Sequence, residues 1–82
     1  MQVVILSPDE EIYTGEADSV KVPGTSGQFE IRNGHAAIVS SLEQGVVSIK
    51  GGGSEDFTIK IRQGFVEVLN NEVAVLIVPE EA

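Results

Sequence analysis

Glycine, proline, asparagine and serine punctuate this sequence every few residues, and the runs between them are rich in valine and isoleucine. That leaves little room for helices, which need long stretches with apolar residues recurring every three or four positions; no window of about eleven residues shows that period. Nine short runs read instead as strands: Val3–Leu6, Glu11–Thr14, Ser19–Val22, Gln28–Ile31, Ala37–Ser41, Val46–Lys50, Phe57–Arg62, Phe65–Leu69 and Glu72–Val78. Many short strands with regular turn signals mark a sandwich or barrel. The expected fold is all-β, a small antiparallel β-sandwich, built as a single domain over 1–82.

The register is sharpest near the C-terminal end. Leu69-Asn70-Asn71-Glu72 reads as a two-residue hairpin, because asparagine tolerates the positive φ that a type I′ turn demands. This places Val68 opposite Val73 and Val66 opposite Val75, and paired residues share a face. The other face carries Phe65, Glu67, Leu69, Glu72, Ala74 and Leu76. Such a mixed face needs a cover, either the second sheet or a partner, and the residue pattern favours neither. Ser7-Pro8-Asp9-Glu10 has the chemistry of a helix start, but Ile12-Tyr13-Thr14-Gly15 follows at once, so Ser7–Glu11 is expected to be a tight turn. Gly51-Gly52-Gly53-Ser54 is expected to be a flexible hairpin tip.

Five Lys and Arg stand against thirteen Asp and Glu, a formal net charge of −8. The cations fall singly, at Lys21, Arg32, Lys50, Lys60 and Arg62, which argues against nucleic-acid binding, where cations neutralise phosphates. The same balance disfavours adsorption to anionic lipid. The longest apolar run, Val73–Val78, falls far short of the ~20 residues that span a bilayer, so no direct membrane insertion is expected. The first residues lack the positive start of a signal peptide. With no cysteine, disulfides and thiolate metal sites are excluded.

Catalytic chemistry is hard to find. His35 is the only histidine, and Gly24-Thr25-Ser26-Gly27 is one residue short of a nucleophile elbow. A histidine beside a glycine in a turn reads first as structural and second as a partner contact. The glycine run lacks the Lys and Ser/Thr ending of a phosphate loop. The acidic clusters at Asp9-Glu10-Glu11, Glu16/Asp18, Glu55-Asp56 and Glu80-Glu81 lack calcium-ligand spacing. Neither enzyme, metal nor cofactor is expected. A sandwich binding a carbohydrate or small ligand would want an aromatic platform, yet the chain offers only Tyr13, Phe29, Phe57 and Phe65, with no tryptophan.

One segment is more informative. Pro23-Gly24-Thr25-Ser26-Gly27-Gln28-Phe29-Glu30-Ile31-Arg32-Asn33-Gly34-His35-Ala36 reads as a turn at Pro23-Gly24, a short strand, and a turn at Asn33-Gly34. Alternation sends Phe29 and Ile31 inward and Gln28, Glu30 and Arg32 outward. With Leu42, Gly45 and Val46, and with the closing runs Gly64–Leu69 and Val73–Leu76, the segment resembles the epsilon subunit of F-type ATP synthase in its N-terminal β-sandwich domain. The resemblance covers nearly the whole chain. Glu30 departs from the family's usual glycine, and Asn33 and Ala37 from its usual prolines.

The resemblance implies a non-catalytic rotor subunit of the central stalk, coupling proton-driven rotation of the c-ring to ATP synthesis. Its implied partners are the gamma shaft, through Leu69, Ala74 and Leu76, and the c-ring, through Gln28, Glu30, Arg32 and His35. It also implies a peripheral place on the cytoplasmic face of the bacterial inner membrane. The likeness ends at Pro79-Glu80-Glu81-Ala82, before the C-terminal helical hairpin that binds ATP in some members. The expectation is thus a short form, or a truncated piece of a longer one, that binds no nucleotide. The competing expectation is a stand-alone β-sandwich acting as a binding or adaptor domain for a small ligand or another protein.

Overall fold

A computed structural model describes residues 1–53 and 56–80; the expectations that touch Ser54, Glu55 and Glu81 lie outside the described residues. Eight strands follow in order: β1 Gln2–Leu6, β2 Glu11–Glu16, β3 Ser19–Gly24, β4 Gly27–Arg32, β5 Ile38–Leu42, β6 Gly45–Lys50, β7 Phe57–Leu69 and β8 Glu72–Pro79. No helix occurs among the described residues. One hydrogen-bonded ladder, β2-β1-β8-β7-β5-β3-β4 with β6 bridging β3 and β7, folds over on itself. Its two layers are β2-β1-β8-β7-β5 and β4-β3-β6-β7. The last half of β7 serves the first layer, and its first half serves the second.

The core fills the space between the layers with aliphatic side chains: Val3, Ile5, Val20, Val22, Val47, Ile61, Val66 and Val75 are all fully buried. Among the described residues no buried side chain is polar or charged, and the buried Met1 ammonium is satisfied by Ala17 O at 3.0 Å and Asn33 Oδ1 at 2.6 Å. Each buried aliphatic side chain contributes about 1.5–3 kcal/mol by leaving water.

The closing hairpin has the expected register, Val68 against Val73 and Val66 against Val75. Asn70 and Asn71 hold φ of 50° and 62°, the left-handed pair that lets a two-residue loop follow the strand twist. Ser7 does form a turn: its Oγ accepts from the amides of Asp9 (3.3 Å) and Glu10 (3.2 Å), and its own amide donates to Glu10 O. Capping chemistry is spent on a strand connection.

Two expectations need correction. The runs Phe57–Arg62 and Phe65–Leu69 are one strand of 13 residues. The side-chain alternation does change phase between Ile61 and Val66, but the cause is a bulge between Ile61 and Gln63, where one extra residue flips the faces without ending the strand. Gly64 marks a close approach, not a boundary: a Cβ there would run into the backbone oxygen of Leu76 and lie 3.1 Å from Ile77 Cγ2. Pro23 and Gly24 likewise end β3, and the turn falls on Thr25 and Ser26. Gly24 lets the chain cross a crowded corner, since its missing Cβ would sit 2.7 Å from Gly27 O and 2.9 Å from the Phe29 ring.

All strand pairs are antiparallel except one. β1 lies parallel to β8, Val3 beside Val73 and Ile5 beside Val75, so the first and last strands are neighbours in the sheet.

Candidate functional site

Strand pairing assigns the outer face of the first layer residue by residue. One row across the sheet runs Ser41, Phe65, Leu76, Leu6; the next runs Val39, Glu67, Ala74, Val4; the third runs Leu69, Glu72, Gln2, Glu16. The second layer packs against the opposite, valine-lined face, so it leaves this one open to water. Val39 is 72% exposed, Phe65 57%, Leu69 53% and Leu76 47%. A cluster of this kind, apolar along two rows and bordered by Glu67 and Glu72, has the composition of a protein-docking surface. Leu69, Ala74 and Leu76, the expected gamma contacts, all lie on it, with Ala74 half-buried between its neighbours.

Sequence reasoning also placed Phe65 on this face but did not count it as a contact, and it missed Val39. Only the β5–β7 pairing, Val39 opposite Glu67 and Ser41 opposite Phe65, brings Val39 there. No local signal in Ile38-Val39-Ser40-Ser41-Leu42 could have assigned it. Beside Phe65 and Leu76 the surface deepens into a groove lined also by Leu6, Pro8, Leu42 and Gly64.

The expected c-ring residues are less unified. Phe29 and Ile31 do turn inward, half-buried and buried, while Gln28 and Arg32 are exposed and Glu30 is partly so. Arg32 and Glu30 form an ion pair on the same face, Nε to Oε1 at 2.7 Å. His35 joins Arg32 through a turn in which its amide donates to Arg32 O at 3.1 Å. Gln28 stands apart, paired with Pro23 at the far end of β4, four residues or ~13 Å along the strand from Arg32. Arg32 and His35 thus belong to one end of the sandwich and Gln28 to the other.

The loop bearing His35 is held in place. Asn33 Oδ1 accepts from the Met1 ammonium at 2.6 Å, and the Gly34 amide donates to Asn71 Oδ1 at 2.9 Å. His35 Nδ1 lies 2.7 Å from Ala36 O, the local structural bond expected of a turn histidine. Among the described residues, no group of His, Asp and Glu is placed to hold a metal ion.

The Asn71 tether yields a testable difference between two adjacent residues. Asn71→Gly relaxes the left-handed backbone but strips the acceptor from Gly34, and the lost hydrogen bond should cost about 1 kcal/mol. Asn70→Gly touches no such bond and should stay within about 0.5 kcal/mol of the parent. Urea melts and hydrogen exchange at the Gly34 amide check both. Equal stabilities with unchanged Gly34 protection would show that the tether does not hold the loop.

The model of the ATP synthase delta/epsilon chain β-sandwich domain matches residues 1–79. The chain is 40% identical to the ATP synthase epsilon chain of Gloeothece citriformis, covering all of this chain and 59% of that one. It is 40% identical to the epsilon chain of Leptospira borgpetersenii, covering 93% and 59%. It therefore spans somewhat over half the length of these relatives. Among solved structures, a chain of the Euglena gracilis mitochondrial ATP synthase superposes with a TM-score of 0.84 at 20% identity, over 93% of this chain and 49% of that one. A chain from the central stalk and c-ring of the Tetrahymena thermophila enzyme superposes with a TM-score of 0.81 at 17% identity, over 94% and 62%. At such identities the structural likeness speaks for the fold.

Proposed function

Because this chain belongs to the ATP synthase delta/epsilon chain β-sandwich family, we propose that it is a non-catalytic rotor element of an ATP synthase, peripheral to the membrane. In this role it grips the gamma shaft with one surface and meets the c-ring with another, so that rotation of the ring is passed to the stalk. The observation that carries the reading is the water-exposed apolar face of Val39, Phe65, Leu69, Ala74 and Leu76 on an otherwise strongly acidic domain. Exposed apolar area of this kind gains on being covered, at roughly 25 cal/mol per Å². The gamma shaft is the cover we assign to it. Proton flow and ATP chemistry lie elsewhere in the complex, and the sandwich contributes rigid geometry, which suits a core packed with aliphatic side chains.

The test is co-expression of the chain with the gamma and c subunits of an ATP synthase from the same organism. Capture of gamma should retain the chain, and amide exchange should slow along β5, β8 and the last half of β7. A chain that runs free of gamma overturns the reading.

We assign the c-ring contact to the Arg32–His35 end. Arg32→Glu replaces an exposed ion pair with two like charges. Because exposed pairs contribute about 0.2–1 kcal/mol, the fold should lose no more than about 1 kcal/mol. ATP-driven proton pumping by the reconstituted complex should fall while gamma capture survives. Pumping that is unchanged removes this end of the molecule from the ring contact.

A further inference from the structure

The cations that fall singly along the sequence come together on the sheet. In the layer β4-β3-β6-β7, Val20, Val22, Ile31, Val47, Ile49 and Ile61 point to the core. Alternation therefore puts Lys21, Arg32, Lys50 and Lys60 on the outer face, all of them exposed, with Arg62 at the bulge beyond Lys60. Pairing fixes their arrangement. Glu30, Lys21, Ser48 and Thr58 form one row, Arg32, Ser19 and Lys50 the next, and Lys60 lies across from Val46. Lys21 and Lys50 are diagonal neighbours, about 7–8 Å apart.

Glu30 is the one carboxylate at a described strand position of this face, and Arg32 holds it. Asp18, whose amide donates to Lys50 O at 2.8 Å, and Asp56, which precedes β7, stand at one end, and Glu80 sits at the other with its carboxylate bonded to Gln44 at 2.7 Å. A chain with thirteen acids and five bases thus has its bases segregated onto one side, opposite the apolar face.

We propose that this side docks an acidic polypeptide segment of a neighbouring protein. The inference rests on charge placement and stands independently of the rotor reading. Its chemistry favours a short peptide over the two common polyanions. Ser19, Ser48 and Thr58 lie between the lysines and offer hydroxyl donors to carboxylates, and no aromatic side chain stands on the strand positions of the face to stack a base or enter a bilayer. Scale also matters. A short segment within one Debye length, ~8 Å at physiological salt, feels mainly the local lysines. A bilayer or a duplex also feels the repulsion of the −8 net charge.

A deca-glutamate peptide is the probe, titrated into the isotopically labelled chain. Amide shifts should be confined to β3, β6 and the first half of β7, and affinity should fall steeply with salt. Replacing Lys21, Lys50 and Lys60 together by glutamine should weaken binding by at least about tenfold, since lost charge complementarity at a rim acts on encounter and register. Replacing them by arginine should preserve it, and both variants should keep the parent's circular dichroism. Parallel titrations use a DNA duplex and phosphatidylserine vesicles. The proposal is overturned if the peptide shifts are absent or scattered, if the glutamine variant binds as well as the parent, or if duplex or vesicles bind as well as the peptide.

Discussion

A Gly64→Val chain should melt roughly 12–24 °C below its parent. The added Cβ has nowhere to go, because it meets the backbone oxygen of Leu76 and the Ile77 side chain. Relief would require moving a strand paired on both sides, with Gly64 opposite Leu42 on one flank and Ile77 on the other. Overpacking of this kind costs about 3 kcal/mol, and in a domain of this size each kcal/mol shifts the melting temperature by about 4–8 °C. Total stability is only about 5–15 kcal/mol, so much of the margin disappears. Gly53→Ala separates space from backbone conformation. Gly53 has φ of 81° but nothing within 4 Å of its absent Cβ, so its cost should be the left-handed penalty alone, about 1–2 kcal/mol. Calorimetry on the two variants decides. If Gly64→Val melts no lower than Gly53→Ala, the close strand approach is not what selects glycine at 64.

Leu76→Glu should weaken gamma binding by about a hundredfold or more while leaving the fold nearly intact. Leu76 sits between Phe65 and Leu6 in the most apolar row of the exposed face. A carboxylate there would be stranded in the middle of an interface, and central positions of this kind carry ~2–4 kcal/mol of binding. In the free domain the same side chain is 47% exposed, so the new charge stays hydrated and stability should change by less than ~1 kcal/mol. Glu72→Lys, at the border of the face, should instead alter the salt dependence of association more than its strength. Surface plasmon resonance against immobilised gamma measures both. A folded Leu76→Glu chain that binds gamma as its parent does would move the gamma contact to another surface.

The closing hairpin was legible because its determinants are local: two asparagines fix the loop, the loop fixes the register, and the register puts Val66, Val68, Val73 and Val75 on one face. The split wrongly read at Gln63-Gly64 shows the limit of the same reasoning. A glycine at a strand end and a glycine under a neighbouring backbone look identical in one dimension, and only the position of Leu76 tells them apart. The cationic side was illegible for a related reason. Lys21, Lys50 and Lys60 are far apart in sequence, and the β3–β6–β7 pairing that unites them leaves no periodic trace. Among the expected ring contacts, Arg32 and His35 were joined by a turn that Asn33-Gly34 announced. Gln28 was grouped with them by the resemblance and by its outward place in the same alternation, neither of which registers that an extended strand separates its two ends.

The parallel pairing of β1 with β8 also bears on how the protein is made. β8 is the middle strand of its five-stranded layer, yet it is the last of these eight strands to be synthesised. Until Glu72–Pro79 has cleared the ribosome, β1 and β2 have only each other to pair with, and Val3 and Ile5 have no neighbour on the β8 side. Closing a loop of that length before the first layer can form places folding among slow, topologically demanding reactions, and a nascent chain halted before residue 72 would display unpaired strand edges and aliphatic surface. Chaperone attention to this small domain should therefore concentrate in the interval between emergence of β1 and emergence of β8.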